Sequence, residues 1–325
     1  MATPIAGLHH VTAIASDPQR NLDFYTGVLG LRFVKRTVNF DDPGTYHFYF
    51  GDDTGTPGTI LTFFPWPGAS RGRTGAGEVV ATAFSIPPGS ISFWRTRLQS
   101  KNTTVTEHTR FGATVLAFDD PDSMHLELVE QKEAYPGAAP RYTDVLPQFA
   151  VQGFHGVTLL LNHLERSAQL LAVMGLKQVA QEENRFRYVT EGDALGRVID
   201  ILVDPSAARG ASGSGSVHHI AFRTPNDTTQ AEWHTTLAPH VDVTPVQERT
   251  YFRSIYFREP GGVLYEMATD TPGFLIDEPV ESLGEALRIP VWYESMRTAI
   301  EARVAPLTLH KATPQATLDL GKVPR

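Results

Sequence analysis

The sequence predicts an α+β chain of four βαβββ units forming two domains, followed by a helical C-terminal tail. Three observations predict it. A strand-like run over Gly7–Ile14 carries His9 and His10, and a near copy returns over Ser216–Phe222 with His218 and His219. A helical apolar period follows each opening run, and short β-rich runs bounded by turn residues follow each helix. The spacing, about 50 to 75 residues per unit, is the period of a repeated supersecondary element.

In the first unit Leu8, His10 and Thr12 share one face of the opening strand and His9, Val11 and Ala13 the other, because successive side chains alternate. Asp17-Pro18 starts a helix on which Leu22, Tyr25 and Leu29 recur, and Gly30 caps it. Arg32–Asn39, Tyr46–Phe50 and Thr59–Phe64 then read as strands separated by Asp-Pro-Gly and Gly-rich turns. The second unit takes Val79–Ile86 as strand, Ser90–Leu98 as helix and Leu126–Val129 as closing strand. A Pro-rich stretch, Tyr135–Pro147, reads as a linker. The third unit has a strand over Gly156–Leu161, a helix over Leu164–Met174 ended by Gly175, and a last strand over Arg197–Val203. The Gly-, Ser- and Ala-rich loop Ser206–Ser216 leads to the fourth, with Val217–Phe222, a helix over Thr228–Leu237, Tyr251–Phe257 and Val263–Met267. The expected division is 1–135 for units one and two, 136–152 for the linker, 153–272 for units three and four, and 273–325 for an extension. Within that extension 290–303 reads as an amphipathic helix, and about fifteen polar residues at the end read as disordered.

Composition narrows the chemistry. A formal charge of −8 offers no general attraction to nucleic acid or to an anionic membrane surface. There is no cysteine, so thiolate nucleophiles, thiolate-held metals and disulfides are excluded, leaving imidazole and oxygen ligands. With no signal-peptide pattern and no apolar run of about eighteen residues, a soluble cytoplasmic protein is the expectation, and a homo-oligomer the expected assembly.

Repeated four times, with His on an opening strand and Glu on a closing one, this unit resembles the vicinal oxygen chelate superfamily, which includes glyoxalase I and the type I extradiol dioxygenases. Five runs resemble its hydroquinone-type ring-cleaving dioxygenases: Leu8–Thr12, Arg32–Thr37, Tyr46–Phe50, Gly55–Thr59 and Pro260–Glu266. The resemblance spans about residues 5–275. It implies curved mixed sheets with outer helices, and a metal site assembled from the first and last strands of two units.

Aligning the units offers His10 and Thr62 in the first, Ala81 and Glu127 in the second, Gly156 and Asp200 in the third, and His219 and Glu266 in the fourth. Pairing the second with the third yields two carboxylates and no imidazole. Pairing the first with the fourth yields His10, His219 and Glu266, a set that suits non-haem Fe(II), with Mn(II) compatible with the same ligands. Strand alternation selects the second histidine of each pair, since His218 shares a face with Ile220 and Phe222 whereas His219 shares one with Ala221 and Arg223. His9 and His218 then become packing residues or supports for the ligands. Glu127 and Asp200, lacking histidine partners, read as solvated or structural.

A five-residue turn through Glu259-Pro260-Gly261-Gly262 places Tyr256 opposite Glu266, as a proton-handling phenol or as an ordinary aromatic in a barrel wall. Thr12, on the face of His10, is a candidate hydrogen-bond donor beside the metal. The resemblance assigns Tyr256 and Arg249 to the active site, with Arg249 balancing negative charge. Together these features imply an Fe(II)-dependent extradiol-type dioxygenase that opens an aromatic diol, by the resemblance a hydroquinone, with O2 as co-substrate and neither nucleic acid nor membrane as partner. The alternatives are a glyoxalase-type isomerase or lyase, which wants a fourth protein ligand, typically a carboxylate, where Thr62 stands, and a metal-free ligand-binding protein of the same fold.

Overall fold

A computed structural model describes residues 3–133, 135 and 140–309. Part of the expected linker, 136–139, and the polar end from 310 onward lie outside the described residues.

The first unit runs β1 (Leu8–Ala15), α1 (Pro18–Gly27), β2 (Arg32–Val38), β3 (Tyr46–Gly51) and β4 (Ile60–Pro65). The start of α1 is fixed by Asp17, whose extended backbone lets its side chain accept from the Arg20 N–H, with Pro18 in the first turn. The second unit runs β5 (Glu78–Ile86), α2 (Ile91–Ser100), β6 (Thr106–Arg110), β7 (Ala113–Asp119) and β8 (His125–Glu130). The third runs β9 (Gly153–Leu161), α3 (Glu165–Val173), β10 (Lys177–Glu182), β11 (Arg185–Val189) and β12 (Val198–Val203). The fourth runs β13 (Val217–Thr224), α4 (Asp227–Leu237), β14 (Gln247–Glu248), β15 (Arg253–Arg258) and β16 (Leu264–Thr269). Each unit is thus βαβββ.

The strands form two curved, mixed, eight-stranded sheets, in the orders β14-β15-β16-β13-β1-β4-β3-β2 and β10-β11-β12-β9-β5-β8-β7-β6. In each, two opening strands meet antiparallel at the centre, β1 with β13 and β5 with β9, and each pairs parallel with the closing strand of its own unit. The first sheet therefore joins units one and four, and the second joins two and three. Each takes one unit from either side of the expected 136–152 linker. The connections that cross between sheets, 66–77 and 204–216, bridge to each other at Arg71–Ser214, Arg73–Ala211 and Ala76–Arg209.

One face of each sheet packs on helices. Leu22 and Tyr25 of α1, Trp94 and Leu98 of α2, Leu170 and Leu171 of α3, and Trp233 and Leu237 of α4 are buried in one core. Burying each such side chain stabilises the fold by about 1.5–3 kcal/mol relative to exposure.

The opposite faces carry the polar residues. In the second sheet Arg110 grips both oxygens of Glu127 at 2.6 and 2.8 Å, and Arg187 those of Asp200 at 2.8 and 2.9 Å. Glu127 and Asp200 are buried, which removes the solvated reading and leaves the structural one. A carboxylate inside a sheet must find charge-assisted partners, and here guanidinium supplies them. Gly156, at the position of His219, has no room for a side chain: a Cβ there would lie 2.0 Å from the Val198 carbonyl oxygen.

In the extension, the expected continuous helix over 290–303 is instead a 3-10 turn, Val291–Met296, followed by α5 (Arg297–Arg303). Val291, Trp292 and Tyr293 are weaker helix formers than most of the stretch that follows, and Tyr293 is tied by its hydroxyl to the Phe40 carbonyl. Among the described residues no helix is long and apolar enough to cross a membrane.

Candidate metal centre

The central pair of the first sheet departs from regular alternation at two places. Leu8 pairs with Phe222 and His10 with Ala221, so His9 is an extra residue in β1. Thr12 pairs with His219 and Ala13 with Val217, so His218 is an extra residue in β13. Both are β-bulges, which re-aim a side chain at the cost of one pairing. The second sheet has equivalent bulges at Val80 and His155. Expected facing fails at these positions. His218 does not join Ile220 and Phe222 on the helix-packed face but lines an open cavity, and His9 lies against Phe252 and His10.

The bulges bring each pair of histidines into contact through Nδ1, His9 with His10 at 2.9 Å and His218 with His219 at 2.8 Å. His9 is buried, and burial together with the neighbouring His10 holds its pKa well below the ordinary value, so its ring is neutral. Of the two facing Nδ1 atoms one carries the proton and the other accepts it. With that proton on His10 Nδ1, the tautomer a metal ligand needs, the His10 Nε2 presents a lone pair.

Register brings the carboxylate to the same place. Glu266 pairs with Ala221 across one edge and with Tyr256 across the other. Its Oε2 lies 2.9 Å from His219 Nε2 and 3.3 Å from His10 Nε2, while the two Nε2 atoms are 3.2 Å apart. One ligand atom from each of the three residues thus converges within 4.8 Å, and all three residues are buried. Ser254 donates to Oε1, whereas among the described residues the buried Oε2 has no hydrogen-bond partner. Burial alone would raise the Glu266 pKa, but the His10 and His219 imidazoles outweigh it and hold the group well below the carboxylate range. An orphaned anionic oxygen beside two imidazole nitrogens is a donor set that fits a divalent cation.

The cavity beside this trio has a volume of about 500 Å³, with Phe40, Phe64, Trp66 and Phe252 among its walls. Tyr256 lies with its ring centre 5.7 Å from that of His219, and its hydroxyl accepts from Arg249 Nε at 3.2 Å. Burial, with Glu266 nearby, raises the Tyr256 pKa, so the phenol keeps its proton. Arg249 also faces Asp41 at 3.6 Å. Thr12 stands opposite His219 in the register, and its hydroxyl accepts from Thr62 at 2.8 Å. The seven residues singled out in the sequence, His9, His10, Thr12, His219, Arg249, Tyr256 and Glu266, therefore gather around one place on the first sheet, six on β1, β13, β15 and β16 and Arg249 on the loop between β14 and β15.

Three further residues belong here. Ser254 shares the face of Tyr256 two positions earlier, a period that could have pointed to it. His218, expected as a packing residue or a support for His219, lines the cavity and touches His219. His47, in the quoted run Tyr46–Phe50, lines the cavity and bonds Thr62 through Nε2 at 2.9 Å; burial holds its pKa well below the ordinary value.

Comparison with known proteins gives concordant relationships. The sequence profile of the Glyoxalase/Bleomycin resistance protein/Dioxygenase superfamily matches residues 7–132. The chain is 49% identical to the "Putative ring-cleaving dioxygenase MhqO" of Bacillus subtilis, over 96% of this chain and 99% of that protein. It is 34% identical to the chlorohydroquinone/hydroquinone 1,2-dioxygenase of Sphingobium indicum, over 90% of this chain and 94% of that one. Among solved structures, a "putative dioxygenase" of Bacillus subtilis superposes with a TM-score of 0.91 at 49% identity, covering 95% of this chain and 100% of its own. Glyoxalase I of Zea mays superposes with a TM-score of 0.61 at 15% identity over 82% of this chain and 92% of its own, a likeness of fold.

Proposed function

Because the chain belongs to the glyoxalase/bleomycin resistance protein/dioxygenase superfamily, we propose that it is an Fe(II)-dependent, extradiol-type ring-cleaving dioxygenase acting on a hydroquinone or substituted hydroquinone. The observation that carries the reading is the buried Glu266 Oε2, which among the described residues has no hydrogen-bond partner and faces two imidazole Nε2 atoms beside an aromatic-walled cavity. The name of the Sphingobium relative supports the substrate class.

His10, His219 and Glu266 would hold the metal. When bound, Fe(II) supplies Lewis acidity and open positions at which a diol and O2 meet. The rest is the work of the protein. His9 and His218 orient the ligand rings through their Nδ1 contacts, and Ser254 turns Glu266 so that Oε2 faces the histidines. Phe40, Phe64, Trp66 and Phe252 offer flat apolar surface to an aromatic ring and limit water around it. Arg249 offers positive charge to an anionic substrate oxygen, and its donation to Tyr256 leaves the phenol's own proton free to be given.

The isomerase reading requires a fourth ligand at Thr62. That hydroxyl is already engaged by His47 and Thr12. The test is anaerobic loading with Fe(II), then addition of hydroquinone in air-saturated buffer. Oxygen uptake with a ring-opened product absorbing in the near ultraviolet is expected. Absence of uptake with every hydroquinone and catechol tried would sink the reading.

A further inference from the structure

A chain of hydrogen bonds runs from the buried aromatic cluster to the metal centre, and its direction is determined by its far end. Tyr49 is fully buried against Tyr251, Phe252 and Phe274, and among the described residues its hydroxyl has one hydrogen-bond partner, His47 Nδ1 at 2.9 Å. A buried hydroxyl hydrogen left without an acceptor is costly, so Tyr49 donates and His47 Nδ1 accepts. A neutral imidazole with a bare Nδ1 carries its proton on Nε2, which therefore donates to Thr62 Oγ1 at 2.9 Å. Thr62 in turn donates to Thr12 Oγ1 at 2.8 Å. Thr12 is the last member. Its oxygen is occupied as an acceptor, its own O–H has no acceptor among the described residues, and it stands opposite His219.

We propose that Tyr49 and His47 are positioning residues that set the direction of this chain, so that Thr12 presents its O–H as a donor to a substrate oxygen held beside His10 and His219. The identity of the recipient rests on the dioxygenase reading; the direction of the chain does not. Thr62 shows why the device is available in this unit. It occupies the closing-strand position that holds Glu266 in the fourth unit, and a hydroxyl there can relay a hydrogen bond where a carboxylate could only accept one.

The experiment has two readouts. The full chain, 15N-labelled in histidine and free of metal, is observed by NMR, with His47 assigned from the signals lost in His47→Asn. The expected result is the Nε2–H tautomer, with a Nδ1 resonance displaced by an accepted hydrogen bond; in Tyr49→Phe that displacement disappears. A Nδ1–H tautomer in the unaltered protein, or a His47 spectrum unchanged by Tyr49→Phe, overturns the inference, and neither depends on turnover of any diol. In Fe(II)-loaded protein, Tyr49→Phe and Thr12→Val should each lower kcat for hydroquinone about 3- to 10-fold, the worth of one neutral hydrogen bond, with metal content and KM unchanged. Thr12→Ser should restore the rate. Loss of metal or of thermal stability in step with kcat, or failure of Thr12→Ser to restore it, would assign these residues a structural role instead.

Discussion

Ser254→Ala isolates one contribution to metal affinity. The Ser254 hydroxyl donates to Glu266 Oε1, both residues are wholly buried, and Oε2 faces His10 and His219. A hydrogen bond to a charged group contributes about 1.5–3 kcal/mol, and at 1.4 kcal/mol per decade that corresponds to about 10- to 150-fold in an equilibrium constant. Substitution of groups that orient metal ligands costs a similar range, about 10- to 100-fold. Removing one buried hydroxyl creates little empty volume, so the variant should fold. Its Kd for Mn(II) or Fe(II), measured by competition with a chelator of known affinity, should be about 10- to 100-fold weaker, and saturating metal should recover most of the activity. Affinity within twofold of the parent protein would mean that His10 and His219 hold Glu266 in place unaided, and the orienting role would be wrong.

Other perturbations separate the remaining contributions. Tyr256→Phe keeps the ring beside His219 but removes the proton, and kcat should fall about 100-fold with metal content unchanged; steady-state kinetics alongside metal analysis checks this. Arg110→Met removes the two-pronged guanidinium partner of the buried Glu127, leaving only the longer contact to His125 at 3.8 Å among the described residues' ion pairs, and should destabilise the fold by about 3 kcal/mol in urea unfolding, most of it recovered in the double variant with Glu127→Leu. The same carboxylate makes stability depend on pH. Burial would raise its pKa, but His125 and Arg110 outweigh burial and hold it at about 2, against an ordinary 4.5. A depressed carboxylate contributes stability above its unfolded value and loses it as pH falls, so about 3 kcal/mol should disappear between about pH 4.5 and 2. Burial, with Arg187 nearby, lowers His155 from 6.5 to about 4, so its neutral form adds a further loss as pH falls through that interval. Glu127→Gln should flatten only the lower part of the urea-unfolding profile against pH.

Local signals made much of this architecture legible. Asp17-Pro18 and Gly30 bracket α1 because capping chemistry is short-range. The repeat of paired histidines placed units one and four together because that pairing supplies two imidazoles and a carboxylate, and β1 does run beside β13. The bulges were illegible because alternation assumes that every residue in a strand is paired. His9 and His218 break that assumption, and nothing in a run of apolar neighbours marks the break. The partners of Glu127 and Asp200 were hidden for a related reason: Arg110 and Arg187 sit on strands whose polar composition resembles an exposed edge. Ser254 and His47 escaped because each acts through another residue, and such contacts are fixed by tertiary placement.

The pairing of the first unit with the fourth also has a consequence for biosynthesis. His10 is made near the beginning of translation, whereas His219 and Glu266 follow much later. Until β16 has left the ribosome, the nascent chain holds one of the three ligands or at most two, and neither subset forms the buried pocket. If the trio holds a metal as proposed, its capture would be deferred to the closing of the last sheet, and a chain ended before β16 would lack Glu266 and with it the full donor set.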